Sequence, residues 1–173
     1  MKDKIRIELE MEQKVCGMCK KNSPEYYELK FQMRFKFYEN EDIQKIKYEN
    51  LEYINKNFKG INKIKEFDYG FDVYFASKEI MNKLSSLFQK KYLCDEVRSK
   101  KILGHNTLET KDIWRHVLLI NIINLKRNDH ISIKGKNYYI KALNKNDLVL
   151  RGLEDGEKKV VTYSIIKDYI QKI

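Results

Sequence analysis

Proline is almost missing from this sequence, with Pro24 alone among 173 residues. There is no Gly/Ser-rich stretch either, so nothing reads as a flexible linker, and any second domain is expected to pack closely on the first. Cysteine is scarce and odd in number, three in all, at spacings that do not make a disulfide framework. No apolar run approaches the roughly 18–20 residues that cross a bilayer, and the N-terminus lacks the apolar core of a signal peptide. A cytoplasmic chain with no membrane partner is expected. The sequence also has no glycine-rich phosphate loop, no Gly-x-Ser-x-Gly elbow and no His-Glu-x-x-His pair. No enzyme is expected.

Positive charge is abundant. Thirty-five Lys and Arg face 25 Asp and Glu, a formal net charge of +10. Residues 111–173 carry 13 cations against 7 anions, leaving 22 against 18 for the first 110. A globular chain this basic usually meets an anionic partner, most often nucleic acid. Lys, Ile, Asn and Tyr are all plentiful, a composition that A+T-rich coding sequence also produces. A hydrophobic content of 42% is enough for a true core.

Periodicity then supplies the elements. Ile5, Ile7, Leu9 and Met11 alternate with polar residues, as do Leu29, Phe31, Met33, Phe35 and Phe37 against Lys30, Gln32, Arg34 and Lys36. Period two predicts two half-buried strands. Ile43, Ile46, Leu51, Ile54 and Phe58 predict a helix ending near Gly60. A hairpin is expected over 61–76, turning at Asp68-Tyr69-Gly70. Ser77 is the expected N-cap of a second helix, buried through Ile80, Met81, Leu84, Leu87 and Phe88. A weaker strand covers 93–103. A long apolar one covers 113–125, read as a central strand covered on both faces.

From Lys126-Arg127-Asn128-Asp129 onward come short strands at 130–134, 138–143, 148–153 and 159–166, with turn signals between them. The expected class is α+β. A mostly antiparallel sheet with two helices occupies 1–125, and a small SH3-like β-barrel follows over 126–173.

Three groups of residues are candidates for chemistry. Cys16 and Cys19 form a Cys-x-x-Cys clip, which supplies two of the four ligands of a structural zinc. Cys94, His105, His116 and His130 offer no matching second pair. The clip is thus a bland turn, a zinc half-site completed by Cys94 or by another chain, or a redox pair, although the last prefers a helix N-terminus that is not predicted here. No cofactor is expected in the monomer. Lys30 and Arg34, on the outward stripe of the second strand, read either as a solvated face or as phosphate contacts. Lys158 and Lys159 after a turn, and Lys126 and Arg127 at the join, read the same two ways. Tyr26 and Tyr27 could stack on bases as aromatics of RNA-binding sheets do. Alternation leaves at most one of them free.

The ordered set Cys16-x-x-Cys19, Tyr26-Tyr27-Glu28, Gln32-x-Arg34, Gly70-x-Asp72-x-Tyr74 and Ser77 resembles the archaeal branch of the nonsense-mediated mRNA decay protein three family. Asp129, Gly135, Tyr139, Leu150 and Gly156 fit the family's last module. The eukaryotic members are export adaptors for the large ribosomal subunit. The resemblance implies a non-catalytic factor that binds the large subunit and its ribosomal RNA, during maturation or recycling. The family carries further cysteine pairs before this clip and an export tail after the barrel. The chain is expected to lack both, and the family's Gly-Gly turn is Ser23-Pro24-Glu25 here. The rival reading is a protein-interaction module that pairs with a separate zinc-bearing partner and touches RNA little.

Overall fold

The computed structural model describes residues 23, 25–106, 111–144 and 147–173, and for Leu103–Asn106 and Lys111–Ile113 the backbone alone. The strand expected around Ile5–Met11 and the Cys16/Cys19 clip lie outside the described residues. Within them the chain is α+β, built on two five-stranded, mostly antiparallel sheets.

The first sheet contains β1 (Leu29–Lys36), β2 (Ile61–Phe67), β3 (Gly70–Phe75), β4 (Cys94–Asn106) and β5 (Lys111–Ile123), in the spatial order β2-β3-β1-β5-β4. Only β1 and β5 run parallel. Strict alternation in β1 sends Leu29, Phe31, Met33 and Phe35 to one face. Their register partners Phe75, Val73 and Phe71 on β3, and Leu118, Ile120 and Ile122 on β5, share that face. Helices α1 (Asn40–Asn57) and α2 (Met81–Lys91) lie over it, adding Ile43, Leu51 and Ile54, then Leu84 and Phe88, to one core. Stacking of Phe31 on Phe88, 5.4 Å between ring centres, ties α2 to the middle of the sheet.

Three details depart from the sequence reading. Phe37 does not extend β1. Its φ of +61° turns the chain out of the strand, and its ring packs on the second core instead. Ser77 caps a turn rather than α2, its Oγ accepting from Glu79 N at 3.3 Å, and the helix begins only at Met81. Strand β5 lies inside the sheet, between β1 and the edge strand β4, but helices cover just one of its faces among the described residues. On the other face Val117 and Leu119 are only half-buried, and Val97 beside Leu119 is 42% exposed.

The second sheet contains β6 (His130–Ile133), β7 (Lys136–Asn144), β8 (Asp147–Gly152), β9 (Lys158–Thr162) and β10 (Ile170–Lys172), in the order β10-β6-β7-β8-β9. The β6–β7 turn is Lys134-Gly135, both at positive φ (+51° and +80°), the two-residue hairpin geometry that suits twisted strands. The expected last strand at 159–166 breaks after Thr162 into a single helical turn, α3 (Tyr163–Ile166), which buries Tyr163 and Ile166. The unforeseen β10 then pairs with β6. Among the described residues no pairing joins β9 to β10.

The second core is not confined to the second sheet. Ile123 and Leu125 are buried in it beside Ile131, Ile140, Leu148 and Leu150, and Phe37 and Leu93 pack against it. An ion pair from Lys167 Nζ to Asp95 Oδ2, 3.1 Å, bridges the same seam. A fragment of residues 126–173 would lose the apolar partners Phe37, Leu93, Ile123 and Leu125. It is too small to replace them. Its thermal unfolding, followed by circular dichroism, is expected to be broad and well below that of the whole chain. A sharp transition at the parent temperature would contradict this.

Candidate nucleic-acid interface

Register alone defines the open face of the first sheet. Cross-strand partners share a side, so three rows run across it. The first is Ser99, Val117, Lys30, Tyr74 and Lys63. The second is Val97, Leu119, Gln32, Asp72 and Lys65. The third is Asp95, Asn121, Arg34, Gly70 and Phe67. Just beyond the first row, Arg115 pairs with Lys101. These three rows and the Lys101–Arg115 pair thus hold six cations (Lys30, Arg34, Lys63, Lys65, Lys101, Arg115) and two carboxylates, Asp72 and Asp95, the latter ion-paired with Lys167.

The outward stripe of β1 is not a free basic stripe. Asp72, only 2% exposed, sits directly opposite Gln32 and gathers its neighbours. Lys30 Nζ lies 2.9 Å from Asp72 Oδ2, Arg34 Nη2 donates to Oδ1 at 2.6 Å, and Gln32 Nε2 donates to Oδ1 at 3.2 Å. Burial pushes the Asp72 carboxyl up, but the hydrogen bonds from Lys30, Arg34 and Gln32 outweigh it and hold it below its ordinary value. Both terminal nitrogens of Arg34 are engaged. Its Nη1 donates to the Met33 and Phe71 carbonyls, 2.8 and 2.9 Å, and its guanidinium lies over Phe67 and Tyr69. Lys30 and Arg34 are therefore 25% and 18% exposed and already paired, so a phosphate would have to compete with Asp72 for them.

The structure also decides between the two tyrosines. The Tyr26 hydroxyl donates to Glu28 Oε1 at 2.9 Å, and burial together with that carboxylate pushes its pKa up to about 12. Tyr27 instead lies on the sheet face, edge-on to Tyr74 at 4.9 Å and under the guanidinium of Arg115 at 4.1 Å. Alternation in 113–125 places Arg115 outward, but its partner ring comes from 88 residues earlier, and no spacing in the sequence brings the two together.

The other four expected cations lie on the link before the second sheet and on its edge strand. Lys126 and Arg127 are exposed on the link before β6, where Asp129 Oδ2 accepts from Lys126 N at 2.8 Å and fixes the turn. Lys158 and Lys159 are exposed at the start of the edge strand β9. None of these four side chains has an ion pair among the described residues. Asn128 N donates to Ile140 O, Ile140 faces Leu150, and Leu150 faces Lys159. The link and β9 are thus three strand spacings apart, about 14 Å on a flat sheet. On the outer side the row His130, Tyr139, Arg151, Lys158 was not anticipated from the sequence. The described residues contain no cluster of His, Cys, Asp and Glu able to hold a metal, and no helix among them is long and apolar enough to cross a membrane.

The first sheet keeps both helices on one side and presents cations and aromatic rings on the other, an α+β platform. The chain belongs to the NMD3 family: the family model described as "NMD3, second domain" matches residues 26–122, more than half of the chain. No curated protein matches it. The match runs from the Tyr26-Tyr27 pair to within one residue of the end of β5, and so covers the first sheet with its two helices. Cys16, Cys19 and the second sheet lie outside it.

Proposed function

We propose that the chain is a non-catalytic, archaeal-type member of the family that binds the large ribosomal subunit as a maturation or recycling adaptor, in the cytoplasm. The family match over residues 26–122 carries this reading. In it, the second sheet is the SH3-like barrel of a 126–173 unit packed on a 1–125 unit. Lys126, Arg127, Lys158 and Lys159 contact ribosomal RNA, with Lys30 and Arg34 as a second patch. Zinc enters only where Cys16 and Cys19 are completed by ligands from elsewhere.

Four unpaired, exposed cations are what phosphate contact requires, since each can displace a counter-ion without first leaving a protein carboxylate. Co-sedimentation with purified large subunits tests the proposal. About four phosphate contacts give a log–log salt slope on the order of −3 to −4, roughly a hundredfold loss of affinity between 50 and 200 mM salt. Reversal of all four charges to Glu should flatten the slope and weaken binding while the fold survives, because these positions are solvated. Wild-type pelleting by the quadruple variant at every salt concentration would overturn the RNA surface.

A second reading has its own observation. Val160, Ile165, Tyr169 and Ile173 are 59%, 72%, 52% and 69% exposed along the last 14 residues, an apolar display suited to protein contact. Pairing with a zinc-bearing partner through this end predicts a shallow salt slope and little response to charge reversal.

A further inference from the structure

Two arginines on the open face of the first sheet are in opposite states. Arg34 has all its surroundings built for it: a carboxylate, two carbonyls and two rings. Arg115 has a ring and, among the described residues, no ion pair or hydrogen bond. Its guanidinium carbon lies 4.1 Å over Tyr27, it has no hydrogen-bond acceptor among the described residues, and its Nε is buried without a partner. Glu28, whose main-chain carbonyl accepts from His116 N, has both carboxylate oxygens engaged elsewhere, one accepting from the Tyr26 hydroxyl and the other from Lys78 N at 3.3 Å. The cross-strand partner of Arg115 is Lys101, an exposed second cation. Buried donors in native proteins are nearly always satisfied, so a guanidinium over an aromatic ring whose buried Nε has no acceptor among the described residues marks a place where an acceptor is missing.

The group that fits is a planar or tetrahedral oxyanion able to take the guanidinium fork while the ammonium of Lys101 balances its charge. The stack narrows the choice of macromolecule. Tyr27 is braced edge-on by Tyr74, and Lys30 lies 5.6 Å from the Tyr74 ring. Tyr27 and Arg115 therefore form two layers, ring and guanidinium, which a nucleobase can extend on the guanidinium side. A carboxylate side chain of an acidic protein has no use for it. We infer that Arg115, Tyr27 and Lys101 form a subsite for one unpaired nucleotide of RNA, with its phosphate on Arg115 and Lys101 and its base continuing the Tyr27–Arg115 stack. This site is separate from the four cations of the second sheet, and it rests on the reading that the partner is RNA.

The test uses the full chain and a short fluorescein-labelled single-stranded oligouridylate, with binding read by anisotropy across a salt series. Arg115→Ala is expected to weaken binding about tenfold and to reduce the log–log slope by about one, the loss of one phosphate contact. Arg115→Lys keeps the charge but loses the planar fork, so it should retain the slope and bind with intermediate affinity. Circular dichroism melts of both variants check the fold, and Arg115→Lys keeps the test valid should Arg115→Ala unfold. Oligouridylate binding by Arg115→Ala that equals wild type overturns the subsite. So does equal binding by Arg115→Lys, or displacement of the RNA by polyglutamate at matched charge. The ribosomal reading fails separately. If Arg115→Ala loses the oligouridylate while large subunits pellet wild type and the quadruple charge-reversal variant equally, the subsite stands and the ribosomal placement falls. If only the quadruple variant loses the subunit and Arg115→Ala binds oligouridylate normally, the reverse holds.

Discussion

Asp72→Asn should lower the melting temperature by roughly 5–10 °C at neutral pH, a loss of about 2–3 kcal/mol. The substitution keeps size and shape but removes the charge to which Lys30 Nζ at 2.9 Å and Arg34 Nη2 at 2.6 Å are both held. Breaking a fully buried pair costs about 3–5 kcal/mol. Here the two cations retain some solvent, so part of that cost is recovered by hydration. The pH dependence gives a second readout. Although burial pushes the Asp72 carboxyl up, its three donors hold it below its ordinary value in the folded chain. The folded state therefore binds fewer protons than the unfolded one near that value. The contribution is complete above the usual carboxylate range, about pH 4, and is lost as pH falls through the depressed value. For Lys30 burial pushes the other way, but Asp72 outweighs it and raises the value, so its contribution is present below the ordinary lysine value and lost at more alkaline pH. Wild type should lose stability below about pH 4 more steeply than Asp72→Asn, whose acid limb is expected to be flatter. Equal melting of the two proteins at neutral pH would show that the Asp72 network is dispensable.

Gly70→Ala is expected to be at least as damaging, on the order of 3–4 kcal/mol, for a reason unrelated to charge. Gly70 sits opposite Arg34 in the β1–β3 ladder at φ +155°. A methyl group there would overlap the Met33 carbonyl oxygen and lie 3.1 Å from its carbon and 3.2 Å from Arg34 Cα. Every one of these is backbone of β1, so relief requires the central strand to move. The same carbonyl also accepts from Arg34 Nη1, so any shift disturbs the Asp72 network. Gly135→Ala provides the contrast. That residue has φ +80° but open space around it, so only the left-handed backbone opposes the change, at about 1 kcal/mol. Paired denaturant titrations of the two variants measure the difference. Comparable small losses in both would mean that β1 and β3 approach less closely than described.

Local pattern determined most of the first sheet. The alternation from Leu29 to Phe35 marked both faces of β1, the stripe from Ile43 to Phe58 marked α1, and Asp68-Tyr69-Gly70 marked the hairpin, because each depends on neighbours two to four residues apart. The ordered short motifs also resemble the family, to which the match over 26–122 assigns the chain. The tertiary structure alone decided what each outward side chain does. Lys30 and Arg34 looked like a basic stripe, yet they face Asp72 from a strand some 40 residues away. Arg115 attracted no notice beside them, yet it is the arginine of this face without an acceptor among the described residues. Tyr26 and Tyr27 were indistinguishable in the sequence until the fold gave one to Glu28 and the other to Arg115. The same holds for Ile123, the last residue of β5, and Phe37, just past the end of β1, both of which pack in or on the core of the second sheet. Charge and burial belong to the set of groups that meet in space. A residue's type and spacing fix which face it takes, whereas its counter-ion comes from whichever strand the register brings alongside.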